Sequence, residues 1–310
     1  MGQSTVRITA EAFVTPPEFH GLQLATRSAG QIGGVRLELI QCGDKTQFGH
    51  CYQQVPLRVL PPFNFSGEPA GLLYLLNPTA GLLDGDGQRI EIRTAAGVKA
   101  VVTGQSATRI HPCPQNFSTQ QWRIHVAPDS ELVVLPGPAI PFHGARSYQR
   151  VEVDLAPGAR FIWADIWYPG RYARGELSER FQFRSLIQEL EVRRHDDLVY
   201  RDRFHWQGPW DDEDIHWHLG GHLACGHLFV SGGVDEQRLD GGSGVETALM
   251  PLASGDTCIR CCGSPADVMH KVVCTALHLA GSWSGRPAAG PWLLSTHGLA
   301  KNHWFSTSPN

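Results

Sequence analysis

The sequence predicts a mainly β fold, and three observations carry that expectation. Gly and Pro are abundant, with 34 and 21 copies in 310 residues, which suits many short strands joined by turns. Short runs of alternating apolar and polar residues return about every ten residues, with turn-forming residues between them. Sustained helical spacing is confined to one segment near the C-terminus. Strands in this rhythm fit an all-β sandwich, barrel or solenoid, and no exact repeat singles out a regular solenoid. No Gly/Ser or Pro tract divides the chain, so one domain over 1–310 is expected.

Residues 1–30 hold few periodic apolar positions and read as a partly ordered arm. From Gly34 the pattern changes. Val35, Leu37 and Leu39 share one face of a strand, Gly43-Asp44-Lys45 turns, and 47–60 returns as the second arm of a β-hairpin. In the stretch Leu72–Asp86, one short apolar run ends in Asn77-Pro78 and another in Asp84-Gly85-Asp86-Gly87. Both are strong turn signals, because Pro presets φ while Gly and Asp tolerate conformations other residues avoid. Two strands should therefore bracket a tight loop presenting Asp84 and Asp86.

The rhythm continues through Gln88–Arg93, Val98–Ile110, Thr119–Val126, Glu131–Pro136, Tyr148–Leu155 and Arg160–Tyr168, broken at Ala96-Gly97, Pro128-Asp129 and Ala156-Pro157-Gly158. One more hairpin is expected around His195-Asp196-Asp197. The single helix predicted is 264–281. Ser264 is its N-cap, Pro265 its first residue and Asp267 a carboxylate facing unpaired amides; Val268, Val272, Ala276 and Leu279 recur at helical spacing, and Gly281 can end it.

A formal net charge of −4 with 18% charged residues leaves no basic footprint for nucleic acid. No apolar run approaches the roughly 20 residues of a membrane helix, and residues 1–30 lack the apolar core of a secretory signal. The eight scattered cysteines do not form a secreted disulfide framework. A cytoplasmic protein with reduced thiols, binding neither nucleic acid nor membrane, is the expectation.

Two constellations bear on chemistry. His216 and His218 lie at i and i+2, on one face of a strand if the segment is extended, and His222 and Cys225 follow; such a set suits zinc or nickel. Against that, the chain carries fifteen histidines and Gly220-Gly221 interrupts the spacing. Cys258-Ile259-Arg260-Cys261 is a CxxC lacking a matched second pair, so buried free thiols are its default reading. The acidic run Asp211–Asp214 reads as a solvated loop. No nucleophile elbow, phosphate-binding loop, dinucleotide fingerprint or HExxH is present.

Five ordered blocks between Tyr52 and Thr296 carry a resemblance. They are YQQVPLRVLPPF (52–63), YLLNPTAGLLDGD (74–86), TGQSATRIHP (103–112), the long block LVVLPGPAIPFHGARSYQRVEVDLAPGARFIWADIWYPGRYARGE (132–176), and SWSGRPAAGPWLLST (282–296). Together they resemble the urease accessory protein family known as UreD or UreH. The resemblance implies two stacked β-sheets in a helical, solenoid-like arrangement with a C-terminal helix. It implies a non-catalytic scaffold that binds apo-urease and a UreF-type protein, which in turn recruits a UreG-type GTPase. Ni²⁺ would be transient cargo crossing an internal polar channel, with no tightly bound cofactor. By matched position the candidate channel residues are Asp84, Asp86, Asp165 and Glu176. The alternative from spacing alone is a metal-dependent hydrolase built on His216, His218, His222 and Cys225.

Overall fold

The computed structural model describes residues 6–24, 31–65, 70–172, 179–235 and 244–283. The strands run β1 (Ile32–Cys42), β2 (Lys45–Gln54), β3 (Arg58–Val59), β4 (Gly71–Leu76), β5 (Gly87–Thr94), β6 (Lys99–Gly104), β7 (Thr108–Ile110), β8 (Ser118–Val126) and β9 (Glu131–Leu135). They continue as β10 (Pro138–Pro141), β11 (Arg146–Leu155), β12 (Arg160–Trp167), β13 (Ser185–Arg194) and β14 (Asp197–Gln207). Helix α1 (Asp212–Leu219) precedes β15 (Ala224–Val230), β16 (Val245–Pro251) and β17 (Thr257–Gly263), and α2 (Pro265–Trp283) closes the described chain.

Two sheets stack. One has the order β14-β13-β11-β8-β5-β1-β2, the other β16-β17-β15-β12-β9-β6-β4-β3, with β7 and β10 attached beside β12. In the first sheet β1, β5, β8, β11 and β13 are parallel neighbours, and antiparallel hairpins with β2 and β14 finish its edges. In the second, β4, β6, β9 and β12 are parallel. The chain therefore alternates between sheets, winding as a flattened helix, as the resemblance implies. The expected hairpins at 35–60 and around His195 are present. The turns at Ala96-Gly97, Pro128-Asp129 and 156–158 instead carry the chain from one sheet to the other.

The space between the sheets is filled by apolar side chains, including Ile90, Ile92, Trp122, Ile124, Val151, Phe161, Trp163 and Leu190. Trp122 and Trp163 meet edge to face at 5.2 Å, one from each sheet. The outer face of the second sheet is covered by α2, whose Val268, Val272, Val273, Ala276 and Leu279 pack on Val133, Ile162, Ala164 and Ile259. That double coverage explains why β12 is buried along nearly its whole length and does not alternate. Ser264 caps α2, accepting from the Asp267 amide at 3.2 Å. The helix runs through Gly281 to Trp283, because Gly281 is buried against the body and does not terminate it. Within the N-terminal arm, residues 6–24 pack on the body through buried Ile8 and Phe19. No helix among the described residues is long and apolar enough to cross a membrane.

Candidate functional site

Asn77-Pro78 turns the chain as its dipeptide predicts. The Asn77 carboxamide oxygen accepts from the Thr79 amide and hydroxyl, at 3.3 and 2.7 Å. Gly81 has φ +135°, and an added Cβ would collide with the Arg109 carbonyl oxygen, so only glycine fits this crossing. The two turn acids are tied to backbone. Asp84 accepts from the Gln115 and Asn116 amides at 3.1 and 2.9 Å, which anchors the segment leading into β8. Asp86, only 3% exposed, accepts from the Gln31 amide at 2.6 Å and the Leu83 amide at 2.8 Å. Burial pushes its carboxyl pKa up despite those two amides. Both acids are placed as loop clamps.

Behind this loop lies a cavity of about 60 Å³, reached between residues 77–81 and 104–109 and floored by Gln88, Gln120 and Trp122. A second, of about 20 Å³, is lined by Gln149 and Asp165 and shares Thr108, Gln120 and Pro136 with the first. The larger has room for a few waters and the smaller for about one.

The floor is a ladder. Parallel register sets Gln88 of β5 beside Gln120 of β8, Gln120 beside Gln149 of β11, and Gln149 beside Gln188 of β13. Four glutamines thus cross the first sheet in one row, spanning about 14 Å at the usual strand spacing. Gln120 donates to Gln88 at 3.0 Å and accepts from the Trp122 indole at 3.0 Å. Gln188 accepts from the Trp167 indole at 2.9 Å. The row converges on Asp165, which points inward from β12 and is 3% exposed. Its Oδ1 accepts from Gln149 at 3.0 Å, and its Oδ2 accepts from Gln188 and from the Trp163 indole. One buried carboxylate surrounded by neutral donors is a stable way to hold a negative charge inside the body.

Beyond Asp165, on β15, stands His227. Burial opposes its charge, but Asp165 and Cys258 beside it outweigh burial and raise the imidazole pKa to about 9. Burial likewise acts to raise the Cys258 thiol, yet His227, Tyr200 and Arg260 outweigh it and leave that thiol below the ordinary range. Cys113, Cys225, Cys261 and Cys262 are pushed the other way, in each case by burial first, and all eight cysteines are free.

The proposed His/Cys cluster is not assembled. The segment of His216 and His218 is not a strand but helix α1, so i and i+2 point in different directions. Asp211 is the physical cause: its side chain accepts from the Glu213 and Asp214 amides at 2.9 Å, and Asp214 reciprocates in a capping box. The acidic run is therefore a helix N-terminus and not a plain loop. Gly220, with φ +62°, supplies the left-handed C-cap. His218 stacks on Trp210 at 4.5 Å, His222 pairs with Glu246 at 3.3 Å, and Cys225 lies on β15. Among the described residues no three His, Cys, Asp or Glu side chains are grouped to hold a metal ion. Glu176 lies outside the described residues.

Of the sequence-derived candidates, Asp165 alone lines either of these two cavities. The glutamine ladder was missed, although its signal is legible once the register is known. QRIEI (88–92), QQWRI (120–124), QRVEV (149–153) and QELEV (188–192) share a leading Gln followed by apolar residues at the third and fifth positions. This degenerate repeat marks the equivalent strand of each turn of the winding.

The sequence matches the UreD urease accessory protein family over residues 31–293. Similar proteins include urease accessory protein UreD 2 of a Synechococcus strain, 37% identical over 58% of this chain and 67% of its own length. Urease accessory protein UreD 2 of Streptomyces griseus is 33% identical over 56% of this chain and 59% of its own length. Urease accessory protein UreD of Haloarcula marismortui is 27% identical over 81% of this chain and 86% of its own length. The aligned segments thus span about two thirds of the first relative's length and less of the second's.

Proposed function

The chain belongs to the UreD urease accessory protein family, a family of accessory proteins rather than enzymes, and from that premise we propose that it is a single-domain scaffold for urease maturation in the cytoplasm. It binds apo-urease and a UreF-type accessory protein, recruits a UreG-type GTPase through the latter, and passes Ni²⁺ as transient cargo between the two sheets. The observation that carries the passage is the glutamine ladder converging on Asp165. A divalent cation in transit needs oxygen ligands that bind weakly and exchange, and carboxamides with a single carboxylate meet that need.

The chemistry asked of the residues is modest. A hydrated ion enters at the cleft at 77–81 and sheds water as it passes Gln120, which lines both cavities. Each glutamine replaces lost water when its amide rotates by about half a turn, exchanging the NH₂ for the carbonyl oxygen. At Asp165, rotation of Gln149 removes one donor and frees Oδ1 for the ion.

Two measurements test this reading. Co-purification with apo-urease and the UreF-type protein is expected, and failure to bind either overturns the scaffold assignment. Asp165→Asn is expected to lower the nickel content of urease severalfold with the accessory complex still assembled. Unchanged nickel content in an assembled complex removes the passage.

A further inference from the structure

The two sheet orders end on four strands, β2, β14, β3 and β16. A terminal strand leaves a row of backbone N–H and C=O groups unpaired, and proteins that keep such edges apart shorten, bulge, charge or cover them. Three of the four carry such devices. β3 is two residues long, with Pro56 before it and Pro61-Pro62 after it. Where β2 meets β1 the register shifts between Glu38 and Leu39, leaving Gly49 unmatched. The Gln54 carboxamide at the end of β2 also holds the Ile8 N–H and C=O of the N-terminal arm, each at 2.9 Å. β14 is bulged at Val199 and carries Asp197, Arg201, Asp202 and Arg203. β16 has none of these. Its seven residues pair with β17 in unbroken register from Val245–Gly263 to Pro251–Thr257, its one charged residue is Glu246, and its one proline is the last position. Glu246, Thr247 and Ala248 are exposed, and no strand among the described residues lies on the outer side of β16.

Register also fixes what this edge presents, because residues directly opposite in an antiparallel pair point to the same face. Val245, Thr247 and Leu249 stand opposite Gly263, Cys261 and Ile259 and so share the face that α2 covers, where Val245 and Leu249 pack on its apolar cluster. Glu246, Ala248 and Met250 share the other face. We propose that β16 is a self-association edge, pairing antiparallel with the same strand of a second copy of this chain across a two-fold axis at Ala248. Ala248 is the middle residue of β16, so this axis lets all seven residues pair. Val245 then stands opposite the partner's Pro251, Glu246 opposite the partner's Met250, and Thr247 opposite the partner's Leu249. Charge nowhere faces like charge, whereas the same operation on β14 centres on Asp202 and sets two carboxylates face to face. The two-fold also keeps both α2 helices on one face of the joined sheet, continuing the row of Val245, Thr247 and Leu249 across the axis. A foreign strand would have to supply this complementarity, and the chain supplies its own. Seven residues a side fall short of the roughly 20–30 of a standard interface, so the dimer is weak, with a Kd on the order of tens of micromolar.

The test follows the full-length chain by sedimentation velocity across the micromolar range. The weight-average mass is expected to rise with concentration from the chain mass of 34.1 kDa towards twice that value. Ala248→Lys and Ala248→Glu each set like charges opposite one another at the axis. The position is exposed, so both variants keep the urea midpoint of the parent. Each variant alone is expected to associate at least about tenfold more weakly. An equimolar mixture of the two is expected to recover the parent's association, since Lys then faces Glu, and that rescue separates a two-fold at Ala248 from contact elsewhere on the surface. A parent that stays monomeric overturns the proposal, and is the result expected if residues 236–243 or 284–310 of the same chain lay along β16. Dimers that persist in both single variants, or variants that do not recover on mixing, overturn it as well. Urease nickel enters none of these readouts, so the self-association edge and the passage fail independently.

Discussion

Replacing Asp86 by Ala should destabilise the protein far more than it alters cation handling. The Asp86 carboxylate accepts two backbone amides, from Gln31 at 2.6 Å and Leu83 at 2.8 Å, in a site only 3% exposed. Ala leaves both donors without a partner, at about 1–3 kcal/mol each. Relief of the burial that raises the Asp86 pKa offsets part of this, so the net loss is about 2–4 kcal/mol. Asp86→Asn keeps one acceptor and turns an NH₂ toward the other amide, with about half that loss. In urea unfolding, at a slope of about 3 kcal/mol/M, Asp86→Ala moves the midpoint down by about 1 M with the slope unchanged. A midpoint unchanged in Asp86→Ala, together with reduced nickel in urease, would refute the clamp and restore Asp86 as a cation ligand.

Three further perturbations probe the frame around the site. Gly81→Ala sets a Cβ against the Arg109 carbonyl oxygen at φ +135°, and a loss of about 2 kcal/mol or more is expected in the same unfolding assay. Asp211→Ala removes the cap of α1 and should cost about 1 kcal/mol, seen as faster amide exchange across Asp212–Leu219 with little change at α2. Glu189 supplies a pH dependence: burial would raise its pKa, but hydrogen bonds from Arg201 and Tyr148 outweigh burial and lower it. A folded pKa below the unfolded value of 4.5 means stability that is present above pH 4.5 and lost as pH falls through the folded value. Glu189→Gln should therefore flatten the acid limb of a urea-midpoint series, and an unchanged limb would show that this network contributes nothing to it.

Local structure was legible where a residue's own chemistry decides it. The β1–β2 and β13–β14 hairpins, the Asn77 turn and the Ser264 cap depend on groups a few residues apart, and each is found. Ala96-Gly97 and Pro128-Asp129 also turn the chain, but a turn fixes only a bend and not which strand accepts the next hydrogen bonds. In this winding β5 pairs with β8 and β8 with β11, so each strand's partner lies about thirty residues away, beyond any periodicity window. Helix α1 was hidden for a different reason: its cap is an Asp-x-x-Asp box, and its eight residues are too few for a helical stripe to emerge. The site follows the same division. Asp165 was reached through family likeness, whereas Gln88, Gln120, Gln149 and Gln188 carry no chemical signal one at a time. Their meaning comes only from register.

The proposed passage gives a reason for a row of neutral carboxamides beside a single carboxylate. Coulomb attraction between a divalent cation and a carboxylate at low effective dielectric is large, and several carboxylates in a row would hold the ion instead of passing it. Carboxamide oxygens offer a dipole without a full charge, so in the proposed passage each rung would be a shallow well that an ion leaves as readily as it enters. Gln120 is the rung shared by both cavities, with its carboxamide between Gln88 and the Trp122 indole. Gln120→Glu is nearly isosteric and adds one negative charge where the two cavities share a wall. It keeps an acceptor for the Trp122 indole while losing the donor to Gln88, so the destabilisation is about 1–2 kcal/mol and the fold survives. Nickel retained by the purified accessory complex should rise while nickel transferred to urease falls. On the proposed reading a neutral ladder passes the ion because it binds weakly, and Gln120→Glu raising both retention and transfer would refute that reading.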